Sequence, residues 1–248
     1  MSNAVAAALY FDHELAANPD PLVALVESLT PVGNSFRQSY IDAENRKMRP
    51  PSAFKLGTLI ARITRGETSG VGIETAIGSP DADTLNVRVD TTPVAKRPER
   101  YALTKCRYQT FVGLGANRID GIGAIIAFAD AVAVRAGAIF VADTAVFAMA
   151  LASVGGGSTL TRAQIDRIND GLYWQPHWGN VIRGPAWGTF LGAQHVDKLG
   201  GMTRIERESG CARVLPLTSG GAYLQVAPEP TDVVPEALVR FLEPVRHP

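Results

Sequence analysis

Strand-like and helix-like segments intermingle along this chain without a regular strand–helix–strand rhythm, and that irregularity constrains the fold most tightly. A doubly wound parallel sheet needs repeated crossover units. The expected class is therefore α+β, with mixed or antiparallel sheet(s) and helices packed on one side. Residues 4–11 are apolar and read as a first strand. Asp20-Pro21 sets a capping residue before a proline at the first helical position, and Leu22, Leu25, Val26 and Leu29 follow at the spacing of one buried face. Residues 37–51 are polar and charged and read as an exposed loop. Residues 53–64 and 71–77 mix Thr, Ile, Val and Gly and read as paired strands with a turn near Gly66. Residues 85–89 alternate like a half-buried strand, 93–98 read as a loop and 101–112 as a further strand.

Helical spacing returns at 121–134, where Ile122, Ile125, Ile126 and Ala129 share a face and Gly137 is placed to supply a left-handed cap. A buried strand is expected at 138–142, then a helix capped by Asp143-Thr144 and running through Leu151. Gly155, Gly156 and Gly157 break the chain, and Thr161 with Gln164 has the form of a capping box with Ile165 and Ile168 inward. Two short helices near 193–199 and 203–209 each end in glycine. Residues 211–217 and 222–226 read as a hairpin across Ser219-Gly220-Gly221, and a last helix spans 235–242. No shift in composition forces a boundary, so residues 1–248 read as a single compact domain.

The balance of 24 basic and 24 acidic residues gives zero net charge, which offers no global field for nucleic acid or an anionic membrane. Charge is nevertheless uneven: Asp12, Glu14, Asp20 and Glu27 precede the first basic residue, while Lys96, Arg97, Arg100, Lys105 and Arg107 cluster. Two solvated faces of opposite sign account for this most simply. Only Cys106 and Cys211 are present, which excludes a disulfide scaffold and fits reduced, buried thiols. The N-terminus lacks a basic leader, and the apolar region 119–154 is interrupted by Asp120, Asp130, Arg135 and Asp143. A soluble cytoplasmic protein without a membrane span is expected.

All three tryptophans, Trp174, Trp178 and Trp187, fall inside residues 172–191 of a chain that is only 7% aromatic. A tryptophan suits a packed anchor or an interface equally well. The stretch holds no recognisable catalytic set. Gly113 and Gly115 match two glycines of a dinucleotide fingerprint, but Arg118 occupies the third slot, so turn glycines are the better reading. Gly155 to Ser158 lacks the lysine of a phosphate loop, and no Gly-x-Ser-x-Gly elbow occurs. Cys106 between Lys105 and Arg107 reads as a strand cysteine packed inward. His13, His177, His195 and His247 show no metal-ligand spacing, and Asp81 with Asp83 reads as a solvated turn. Neither catalytic residues, nor a metal, nor a cofactor is expected.

Four segments stand out in order: Trp187-Gly188 to Leu191, His195 to Gly200-Gly201, Arg213 to Leu217, and Gly220-Gly221 to Pro228. In that order and spacing they resemble the C-terminal portion of the type VI secretion immunity proteins, a bacterial family first catalogued as a domain of unknown function. The resemblance spans about 187–230. It implies a non-enzymatic protein that binds and blocks a toxin acting in the cytoplasm, with nucleases among the toxin types, and a partner encoded next door. The family carries no catalytic residues over to this chain. Gly188, Gly200, Gly201, Gly220 and Gly221 then have structural work, and Trp187 reads as core. Trp174, His177, Trp178 and Arg183, in the more polar half of the cluster, are the candidate toxin contacts. Two other readings stay open: an enzyme with a pocket around Trp174, His177 and Trp178, and an adaptor that self-associates, as a homodimer for example.

Overall fold

The computed structural model describes residues 3–30, 35–44, 47–76, 79–91, 106–153, 161–169, 182 and 185–246. Strand β1 (Ala4–Phe11) is buried along its whole length, because both faces of the sheet are covered where it runs. Val5, Ala7, Leu9 and Phe11 enter the larger core, while Ala4, Ala6, Ala8 and Tyr10 enter a second one. The alternation of bulk is the cause. Small alanines on one face allow a helix to approach closely, and larger side chains fill the deeper layer opposite.

Ten strands form one sheet in the order β3-β2-β4-β5-β6-β1-β7-β8-β10-β9, and every neighbouring pair is antiparallel. The remaining strands are β2 (Phe36–Asp42), β3 (Met48–Ala53), β4 (Thr68–Thr75), β5 (Leu85–Asp90), β6 (Tyr108–Leu114), β7 (Ala136–Ala142), β8 (Gly188–Leu191), β9 (Arg213–Pro216) and β10 (Ala222–Gln225). The helices are α1 (Asp20–Leu29), α2 (Leu56–Thr64), α3 (Ile122–Ala131), α4 (Ala145–Ser153), α5 (Arg162–Asn169), α6 (Ala193–Lys198), α7 (Met202–Glu208) and α8 (Glu236–Phe241).

Leu22, Leu25, Val26 and Leu29 of α1 are buried at the expected spacing, and they share the larger core with Ile125, Phe128 and Ala129 of α3. β6 and β7 flank β1 on either side, and α3 connects them across it. On the opposite face α4, nearly all Ala, Val, Phe and Met, seals Ala4, Ala6 and Ala8. The expected α+β class with an antiparallel sheet holds, and α4 extends the helical cover to the second face. Its N-terminus is capped by Thr144, whose Oγ1 accepts from the Phe147 N–H at 3.2 Å, as the Asp143-Thr144 pair suggests. Thr161 and Gln164 make the reciprocal bonds of a capping box at the start of α5.

Three expectations are corrected. Residues 37–51 are not a loop: β2 and β3 pair there, and the polar residues Arg37 and Ser39 alternate with buried Phe36, Gln38 and Tyr40. β3 is exposed throughout and carries Pro50 and Pro51, which suits an edge strand because proline cannot donate to a further neighbour. Residues 56–64 are the helix α2 and not a strand; Leu59 and Ile63, four apart, fall on its buried face. Finally, Gly137 lies inside β7, and the residue with positive φ after α3 is Ala133, at 48°.

The C-terminal third follows its expected plan. β9 and β10 form the hairpin, with Gly220 at φ 84° in its turn. Gly200 and Gly210 close α6 and α7 at φ 89° and 67°. Asp130 of α3 accepts from the Thr218 hydroxyl at 2.9 Å and the Ser219 N–H at 3.3 Å, which ties the hairpin turn to the larger core.

Candidate functional site

The glycines of the rejected dinucleotide fingerprint show how one cleft of the molecule is built. A Cβ on Gly113 would lie 2.5 Å from Met149 Cγ, so this glycine makes room for α4. A Cβ on Gly115 would lie 2.3 Å from the Asp81 carbonyl oxygen and 2.5 Å from that of Ala82, so this one lets the 81–83 turn press onto the end of β6. Both are packing glycines; Gly115 precedes a short 3-10 helix (Ala116–Gly121), and the α-helix α3 begins only at Ile122, whereas a nucleotide fold opens its α-helix within the glycine motif itself.

The turn is fixed from three directions. Asp81 Oδ2 accepts from the Ala145 N–H at 3.2 Å and so supplements the cap of α4. Asp83 Oδ1 accepts from Asn117 Nδ2 at 2.8 Å. The Asp83 carbonyl accepts from Arg118 Nε at 2.6 Å. Arg118 also donates through Nη1 to the Leu29 carbonyl at the end of α1 (3.3 Å), and its guanidinium lies 5.4 Å from the Phe36 ring centroid. One side chain thereby joins α1, β2 and the turn before β5.

Between these parts lies a cleft of about 690 Å³ at the end of the sheet where β4 and β6 finish, α1 ends and α3 begins. That is the size of a small-molecule or side-chain pocket. Leu29, Leu114 and Gly121 supply its apolar lining; Ser28, Ser35, Thr75 and Ser79 supply hydroxyls; Asp83, Asn117, Arg118 and Asp120 supply the charged and amide groups. Leu114 is fully buried and Leu29 nearly so, whereas Asp120 is exposed and Asp83 and Arg118 are half-buried. The expectation for Asp81 and Asp83 was a turn, and they do form one. Sequence reasoning missed that the turn is also a wall, because its partners lie 34, 35 and 64 residues away.

Trp174, His177, Trp178 and Arg183 lie outside the described residues. Trp187 is buried at 3% exposure in the larger core, and its Nε1–H donates to the Ala227 carbonyl at 2.9 Å. Its own carbonyl accepts from the Val226 N–H at 2.9 Å, so the residue clips the start of β8 to the end of β10. Gly188 allows close approach of Tyr223, whose ring and hydroxyl would lie 3.0 Å from a Cβ there. Gly201 has φ 88° and opens α7, and Gly221 approaches the Leu191 carbonyl so closely that a Cβ would lie 2.4 Å from it.

His195 is fully buried, and its Nδ1 accepts from the Gly192 N–H at 3.3 Å at the start of α6. His13 is bonded through Nε2 to the Asn18 carbonyl at 3.0 Å. Cys106 is buried, and desolvation pushes its thiol up to about 12, away from nucleophilic character. Among the described residues no group of three His, Cys, Asp or Glu is arranged to hold a metal ion, and no helix is long and apolar enough to cross a membrane.

No family model matches the chain, and no curated protein matches it. Among solved structures, the fold is similar to that of a Pseudomonas aeruginosa type VI secretion system (T6SS) protein, PA0821, with a TM-score of 0.61 at 12% identity. The likeness covers 98% of this chain and 73% of the other. At that identity it is a likeness of fold, and it spans nearly the whole chain.

Proposed function

We propose that this protein is a non-enzymatic immunity protein that binds a toxin of type VI secretion, or of a related delivery system, and blocks it in the cytoplasm. The observation that carries the reading is the fold likeness to a T6SS protein over 98% of the chain. The motif residues support it in a second way. Trp187, Gly188, Gly220 and Gly221 pack or turn the strands β8 to β10, which is the structural role expected of them from residue chemistry. On this reading inhibition is by occupancy. A preformed surface covers the toxin, and affinity comes from a few well-packed or charge-complementary groups rather than from chemistry on the inhibitor.

The test is a growth assay. Each candidate toxin gene adjacent to the gene for this chain is expressed with and without it. Rescue of growth, together with a stable 1:1 complex in size-exclusion chromatography, is the expected result. Failure to rescue against every neighbouring candidate refutes the proposal.

A further inference from the structure

We propose that the cleft beside Arg118 receives a basic side chain of the partner toxin, seated between the carboxylates of Asp83 and Asp120; this rests on the immunity reading above. Among the described residues, the charged groups that line the cleft are Asp83, Asp120 and Arg118, two negative against one positive. Arg118 is already committed on its inner side. It donates to two carbonyls, one of them the Leu29 carbonyl at the negative end of the α1 dipole, and it covers the Phe36 ring. Two of its N–H groups are thus occupied within the fold, which directs the guanidinium toward α1 and the 81–83 turn. Asp120 makes no hydrogen bond or ion pair among the described residues, and Asp83 spends one carboxylate oxygen on the Asn117 amide.

The hydroxyls of Ser28, Ser35, Thr75 and Ser79 likewise have no partner among the described residues, and each can accept from an N–H group. A guanidinium or ammonium head finds there both the net charge and the acceptors it needs. The clamp of the 81–83 turn by Ala145, Asn117 and Arg118 holds the acceptors in place before binding, which lowers the ordering cost.

Asp120 is exposed and makes no hydrogen bond among the described residues, so changing it costs the fold only the favourable placement of a carboxylate near the start of α3. The full-length protein and its Asp120→Lys and Asp120→Glu variants are compared for toxin affinity by titration calorimetry, with melting curves run alongside. Asp120→Lys should weaken toxin binding at least tenfold while the melting midpoint falls by no more than about 4 °C, and Asp120→Glu should bind within threefold of the parent. An Asp120→Lys variant that binds within twofold of the parent overturns the proposal. If the unaltered protein binds no neighbouring toxin, the immunity reading fails, and the cleft is then judged with the blocked tripeptide acetyl-Gly-Arg-Gly-amide. Amide shifts confined to the residues around Asp120 and Ser79, lost in Asp120→Lys, would uphold the cation site; no shifts at millimolar peptide would sink it.

Discussion

Gly115→Ala separates steric crowding from backbone strain, because Gly115 has φ −67° and ψ 167°, a conformation alanine adopts without cost. What alanine cannot have is the space. Its Cβ would meet the Asp81 oxygen at 2.3 Å, the Ala82 oxygen at 2.5 Å and the Ala82 carbonyl carbon at 2.6 Å. These are backbone atoms, about 1 Å inside van der Waals contact, and the turn that carries them is tied to α4, Asn117 and Arg118. Relief requires the turn to move away. Overpacking of this kind costs about 1–3 kcal/mol. The displacement also loosens the Gly115 N–H bond to the Thr84 carbonyl (2.8 Å) and the Arg118 bond to the Asp83 carbonyl (2.6 Å), at about 1 kcal/mol each. The sum is about 3–5 kcal/mol. With a urea m-value of about 2–3 kcal/mol/M, the unfolding midpoint should fall by about 1–2.5 M. Gly113→Ala is the control. Its Cβ clashes with Met149 Cγ and Sδ, at 2.5 and 2.6 Å, and is in ordinary contact with Asn86 Cβ at 3.8 Å; a thioether can swing aside, so a loss below about 1.5 kcal/mol is expected. If Gly115→Ala unfolds at the same urea concentration as Gly113→Ala, the packing role assigned to the turn is wrong.

Trp187→Phe should cost only about 1–1.5 kcal/mol, because the Ala227 carbonyl that loses the indole N–H still accepts from Gln225 Nε2 at 2.9 Å; Trp187→Ala empties a core site and should cost about 3–5 kcal/mol. Urea unfolding of the pair checks the ratio, and equal losses would mean that the hydrogen bond dominates. Gly201→Ala, at φ 88° and ψ 170° in open space, a region that essentially only glycine populates, should lose about 1–3 kcal/mol from backbone conformation alone, measured by the same unfolding curves. Stability should also decline in alkali. The Cys106 thiol is pushed up to about 12 by burial, against 9.0 when unperturbed, so above pH 9 the unfolded chain releases a proton that the folded one keeps. The loss grows from pH 9 to 12, and burial of the Tyr223 phenol acts in the same direction. Denaturant unfolding at several pH values should show a shallower decline for Cys106→Ala than for the parent, and an identical slope would refute the assignment.

The parts of the fold that were legible in the sequence are those whose information is local. The face of α1 is written in the spacing of Leu22, Leu25, Val26 and Leu29, and the last hairpin in the glycines between β9 and β10. The misreadings at β2, β3 and α2 share one cause. β2 is polar on alternate residues because its second face is not packed like that of β1, and a polar strand reads locally as a loop. Thr58, Ile60, Ile63 and Thr64 carry β-branched side chains that favour strand, yet the burial of Leu59 and Ile63 against the larger core selects helix.

The cleft was illegible for a different reason. Ser28 ends a helix, Ser79 and Asp83 sit in a turn, and Asn117 to Asp120 follow a strand; each segment taken alone is an ordinary connection. Their meaning arises only when Gly115 lets the 81–83 turn close onto β6 and Arg118 reaches back to Leu29, 89 residues away. Gly113 and Gly115 match only two glycines of a nucleotide signature and read in the sequence as turn glycines. The same pair also marks where two distant segments approach the strand more closely than a Cβ permits. Paired glycines near a strand end that match no ligand motif are therefore signs of a tertiary contact, and such a contact can create a concave surface that no local pattern announces.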